Sequence, residues 1–182
     1  MFFARLRAPF LLLLLFAPVI ASLLFQQFAA MNEEKHLRFL ILSVNLSTVF
    51  AMLFVCWIAT LTFILAPRFR SKLLVFMGLA LSVLFRLWQD NFTLDVVNVT
   101  GQIPKLEFIS VDSPVFVMHV IVSLFMLTLL VQLALWLLKK EKELGLPEES
   151  KGKTIAWFII FPVGMFFIQP RMRKILEEVE AE

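Results

Sequence analysis

The chain has 182 residues, 60% of them hydrophobic and 17% charged, with five glycines and a formal net charge of +3. A soluble domain carries about 25% charged residues, so this composition excludes one and makes a membrane protein the expected class. The sequence pI near 9.2 does not point to nucleic acid, because the cations form short clusters beside apolar blocks, the pattern of the positive-inside rule.

The first apolar block, 9–30, follows a basic start and has the form of a signal peptide, with "VIA" as a cleavage site. Its apolar run continues through Leu23, Leu24 and Phe25, so an uncleaved anchor is the expectation. Three further blocks follow at about 37–65, 73–92 and 114–138. Each reaches the roughly 20 residues that a helix rising about 1.5 Å per residue needs to cross about 30 Å of hydrocarbon. The expected architecture is a single all-α integral membrane domain, 1–182, with four transmembrane helices.

Charge sets the expected orientation. With the N-terminus inside, the cytoplasmic side receives Arg5, Arg7, Arg68, Arg70, Lys72, Lys139, Lys140, Lys142, Lys151 and Lys153, against Lys35, Arg38 and Lys105 outside. That bias places the chain in a membrane, with a bacterial cytoplasmic membrane expected and both termini cytoplasmic. The connector 139–153 has the charge, Gly and Pro of a solvated link.

The outer loop, 93–113, contains "TLDVVNV" and "KLEFISV" separated by "TGQIP". Both runs are rich in β-branched and aromatic residues, and the middle supplies a turn, so a small β-hairpin is predicted. "DSPVF" reads as the start of the fourth helix, with Asp112 or Ser113 as cap and Pro114 in the first turn.

The segment 154–170 is apolar, flanked by cations and interrupted by Pro162 and Gly164. If it crosses, Arg171, Arg173 and Lys174 lie outside; if it dips and returns, they join the cytoplasmic cations. The charge rule favours a re-entrant hairpin bending at Pro162 to Gly164, which is tolerated at membrane depth when protein surrounds it. A short fifth span is the alternative. The tail 171–182 places Met172, Ile175, Leu176 and Val179 on one helical face.

Within the spans, Gly78, Ser82, Arg86 and Asp90 recur at intervals of four, and Ser43 and Ser47 form a second small ridge with Asn45 beside it. Small and polar residues in lipid pack and hydrogen-bond neighbouring helices, and Gln132 in the fourth block is read the same way. An ionisable residue in a span is a functional candidate by default. Arg86, Asp90, Asp112 and His119 form such a group near the outer boundary, with a plain pairing of Arg86 and Asp90 as the structural reading. One histidine without a second His or Cys nearby does not make a metal site, and no cofactor is implied. The lone Cys56 reads as a small packing residue.

The two aspartates in "QDN" and "ISVDS" loosely resemble the pair in the lipoprotein signal peptidases, four-span enzymes in which two aspartates activate water. The resemblance implies an intramembrane aspartyl hydrolase at the outer face. The family's asparagine three residues before each aspartate has no counterpart here, where Trp88 and Gln89 precede Asp90 and Ile109 stands three before Asp112. No phosphate-binding Gly loop, nucleophile elbow, CxxC or HExxH motif occurs. The function expected is therefore non-catalytic: a membrane subunit, in contact with lipid, that forms a homo-oligomer or a hetero-complex with a membrane or cytoplasmic protein. A small oligomeric channel or transporter is the second reading and the hydrolase the third.

Overall fold

The computed structural model describes residues 2–102, 114–147 and 149–181. Seven α-helices occur among them: α1 (Phe2–Arg5), α2 (Ala8–Met31), α3 (His36–Leu65), α4 (Phe69–Thr100), α5 (Pro114–Glu143), α6 (Lys151–Ile159) and α7 (Phe161–Ala181). A short 3-10 turn, Glu33–Lys35, joins α2 to α3. Four of these helices, in α2, α3, α4 and α5, are long and apolar enough to cross a membrane.

No strand occurs among the described residues, which corrects the predicted β-hairpin: Thr93 to Val99, its expected first strand, is the end of α4. The expected second strand, 105–111, lies outside the described residues. The physical reason is continuation. Adding residues to an existing helix avoids the nucleation cost, whereas a lone two-stranded hairpin is marginal in water. The extension also buries Val97 completely, in a cluster with Ala29 and Leu40 flanked by Phe39 and Ile41. Gly101 ends the helix with φ +65° and donates its N–H to Val97 O at 2.8 Å, a left-handed C-cap that favours glycine.

The chain divides into two compact units. One comprises Leu14–Val55 and Leu79–Val122. Aromatic pairs line it, among them Phe25 stacked on Phe39 at 5.8 Å and Phe16 tilted against Phe50 at 5.8 Å.

The other unit comprises Met1–Leu13, Cys56–Gly78 and Ser123–Glu182. Its core takes Trp57, Ile58 and Leu61 from α3 and Leu133 and Leu137 from α5. From α7 come Met165, Ile168, Met172 and Ile175, all fully buried and at the three- and four-residue intervals of one helical face. Gly78 packs under Phe125: a Cβ there would stand 2.2 Å from the ring. α5 ends in a Schellman motif, with Leu146 N–H on Glu141 O at 2.9 Å and Gly145 N–H on Lys142 O at 3.2 Å.

Helix α6 opens on Ser150, whose hydroxyl accepts from Lys153 N–H at 3.4 Å. The chain then breaks at Ile160 (φ −84°, ψ 57°). Pro162 falls in the first turn of α7, where its missing N–H costs nothing. Gly164 is the point of closest approach, since a Cβ there would lie 1.6 Å from the carbonyl oxygen of Trp157. Opposite it, Trp157 and Phe167 stack with centroids 4.0 Å apart.

Candidate functional site

The ionisable pair in α4 is built from its spacing. Arg86 and Asp90, one turn apart, pair through Arg86 Nη2 to Asp90 Oδ1 at 3.0 Å and Arg86 Nε to Asp90 Oδ2 at 3.1 Å. Asp90 is 7% exposed. Helix α3 supplies the remaining partners: Thr48 donates its hydroxyl to Asp90 Oδ2 at 2.6 Å, and Arg86 Nη2 donates to Ser47 Oγ. The carboxylate thus receives three donors and the guanidinium is neutralised. Chemically this is a joint between two helices.

Asp90→Asn is expected to leave Arg86 without its counter-charge and to lower stability by about 2 kcal/mol, the scale of a hydrogen bond to a charged group. Melting in mild detergent measures it. Arg86→Gln added to Asp90→Asn should recover part of the loss, and simple additivity of the two losses would show that the pair is not coupled.

The same face of α3 reaches α2 one turn away. Ser22 Oγ lies 2.9 Å from both the carbonyl and the hydroxyl oxygen of Ser43, and Gln26 Nε2 donates to Ser43 Oγ at 2.9 Å. Ser43 is 1% exposed, so this contact is a buried polar clip. Asn45 lies on the exposed side of α3, Ser82 is half-buried on α4, and Gln132 is half-buried on α5.

His36 opens α3, just before the apolar block that begins at Leu37. Its Nδ1 lies 2.8 Å from Ala29 O at the end of α2, and its Nε2 lies 2.6 Å from Gly101 O just past α4. The Ala29 carbonyl, then the Gly101 carbonyl, hold its imidazole above the ordinary value near 6.5, against a lowering by burial.

In the other unit, α7 is held by a buried ion pair. Arg171 Nε donates to Glu141 Oε1 at 2.6 Å and Nη2 to Oε2 at 2.5 Å, while Nη1 donates to Thr154 Oγ1 at 3.1 Å. Glu149 stands 3.6 Å from the same Nη1. The side chains of Arg171 and Glu141 are 13% and 3% exposed. Gln169 Nε2 donates to the carbonyls of Phe3 at 2.6 Å and Leu6 at 3.0 Å, and Arg5 pairs with Glu180. The hairpin tip also meets α3, where Phe161 lies 4.9 Å from Trp57.

Of the four residues expected near the outer boundary, Arg86 and Asp90 meet. His119 stands edge-on to Phe85 at 5.1 Å, and Asp112 lies outside the described residues. Pro162 and Gly164 flank the hairpin turn, whose break is at Ile160. The joints at Arg171, Gln169 and His36 carry no sequence signal, since their partners lie 17 to 166 residues away or are backbone carbonyls seven and 65 residues away. No group of three or more His, Cys, Asp or Glu side chains among the described residues could hold a metal ion.

These features define a protein that is helical throughout its described elements, with four membrane-length apolar helices whose interior polar groups join helix to helix. No protein-family model, curated protein or solved structure matches it.

Proposed function

We propose that the chain is a non-catalytic polytopic membrane subunit that self-associates and anchors a cytoplasmic partner. The observation that carries this reading is the state of Asp90. A general base must be turned to a reacting group, and the Asp90 carboxylate is turned to Arg86 through both oxygens and to Thr48 through one.

In this reading α6 and α7 form a re-entrant hairpin in a bacterial cytoplasmic membrane, with both termini on the cation-rich cytoplasmic side. Distance along the helices supports it. Trp57, which meets the hairpin tip, lies eight residues from the end of α3, about 12 Å inside it. Thr154 and Arg171 meet at Glu141 near the end of α5, so the limbs from that level to the tip are about 9 and 15 Å, on the order of one leaflet of a 30 Å core. The tip side chains Ile159, Ile160 and Val163 are about half exposed, as lipid contact permits. Gln169 joins α7 to the N-terminal segment, consistent with termini on one side.

Self-association is assigned to α4. Its apolar window is 11% buried, against 22% to 28% in the other three membrane-length helices. Leu81, Leu84 and Trp88 stand exposed on it at three- and four-residue spacing, the interval of a helix–helix seam.

In a Cys56→Ser background, Leu81→Cys and Leu84→Cys are expected to give a disulfide-linked dimer on mild oxidation in membranes, with Asn45→Cys on the exposed side of α3 as the negative control. A chain that is monomeric in mild detergent, copurifies with no partner and crosslinks no better at Leu81 than at Asn45 would sink the subunit reading.

A further inference from the structure

We propose that His36 is a proton-operated latch between the C-terminal ends of α2 and α4. Both ring nitrogens face carbonyl oxygens, Ala29 O at 2.8 Å and Gly101 O at 2.6 Å. A carbonyl oxygen only accepts, so each of these contacts requires an N–H on the ring. Neutral imidazole has one N–H and can satisfy one carbonyl; at the other nitrogen a lone pair would meet a lone pair. Imidazolium has two and satisfies both. The latch is therefore closed in the charged form and must give up one contact when the ring loses its proton.

The position favours the cation for a second reason. Ala29 and Gly101 lie at the C-terminal ends of α2 and α4, where unpaired carbonyls give each helix end a partial negative charge of about half a unit. The surroundings are otherwise mixed. In the 3-10 turn before it Glu34 favours the charge and Lys35 opposes it, as does Arg38 on its own helix. The last turns of α2, residues 26–31, contain no titratable side chain, and α4 beyond Asp90 contributes Asp95 alone. Glu34, Lys35, Arg38 and Asp95 are exposed, so water and salt screen them far more than the two carbonyls in direct contact.

The sign follows from linkage. A ring whose charged form is preferred in the closed state titrates above its ordinary value. The latch is thus fully formed below about pH 6.5 and is lost as pH rises through the closed-state value. What it controls is the tie between the α2–α3 turn and the point where the chain leaves α4 at Gly101. The side chain is not part of the Arg86 and Asp90 joint, and the latch does not depend on the proposed subunit role.

The test uses the full chain in nanodiscs, with spin labels at Met31→Cys and Gln102→Cys in a Cys56→Ser background; Met31 and Gln102 are both exposed. Pulsed-EPR distances are recorded at about pH 5.5 and about pH 8.5, on either side of the ordinary imidazole value near 6.5. A single short distance is expected at the lower pH, and its population should fall at the higher one, following the loss of imidazolium. His36→Gln should abolish the pH dependence, and His36→Arg, charged at both values, should keep the short distance at the higher pH. The idea is overturned if the doubly labelled parent gives the same distances at both pH values, a comparison that needs no His36 variant to fold. It is equally overturned if His36→Gln retains the transition, which would assign the proton to another group.

Discussion

Gly164→Ala is expected to open the α6–α7 hairpin and to destabilise the protein by more than about 3 kcal/mol, at the upper end of what overpacking costs. The added methyl would lie 1.6 Å from the carbonyl oxygen of Trp157, 2.5 Å from its carbonyl carbon and 2.9 Å from its Cα. All three are backbone atoms, so no side-chain rotation relieves the clash and the two helices must separate. Separation would also unstack Trp157 from Phe167 and expose Phe158 and Met165. A lower melting temperature in mild detergent, with new tryptic cleavage at Lys153 and Arg171, is the expected result. Gly152→Ala is the matched control: its Cβ meets nothing within 4 Å, and it should gain up to about 1 kcal/mol from helix propensity alone. Equal melting of Gly164→Ala and the parent would show that the helices do not cross so closely.

Glu141→Gln is expected to cost about 3 kcal/mol, the lower end of the cost of breaking a buried pair, because the Arg171 guanidinium keeps only the more distant Glu149 carboxylate at 3.6 Å. With side chains 13% and 3% exposed, the pair has little of the screening that reduces surface ion pairs to about 1 kcal/mol or less. Arg171→Met alone should cost a similar amount by stranding Glu141. The double variant Glu141→Leu with Arg171→Met should cost clearly less than the sum, since both charges of the pair are then removed and Glu149 keeps Lys153 at 3.6 Å. A double-mutant cycle on thermal unfolding reads this coupling. Single losses below about 1 kcal/mol would place the pair in water and leave α7 without its anchor.

The apolar blocks made the four long helices legible, since a run of twenty or more apolar residues permits little else in lipid. Their lengths were less so. Hydropathy reports where lipid begins, and helix does not stop there: α4 has 32 residues, about 48 Å, because residues 69–72 and 93–100 continue it past the apolar block. The β-branched run Thr93 to Val99 was misleading for that reason. Its strand preference is a small local term, overruled by the helix already formed and by the burial of Val97.

The polar residues divide along similar lines. Arg86 and Asp90 are one turn apart, so their pairing could be read directly from spacing. Ser43 and Ser47 could be read as packing residues, but which helix each would meet could not. The Arg171 joint depends on a Schellman turn that ends α5 and on a hairpin that returns α7 to the level of Glu141. The interruption between α6 and α7 was expected at Pro162 to Gly164 and occurs at Ile160. Proline is at home in a first turn, so it begins α7 instead of breaking it.

The bond from Gln169 to Leu6 has a further consequence, for how the protein is made. The partners are 163 residues apart in the chain, and the interruption between α1 and α2 leaves the Phe3 and Leu6 carbonyls in need of donors until α7 arrives. Through the synthesis of all the intervening helices, that first turn is a half-finished joint. The joint therefore closes only once α7 has folded back onto α1, and shortening the chain before Gln169 would leave both carbonyls without this donor.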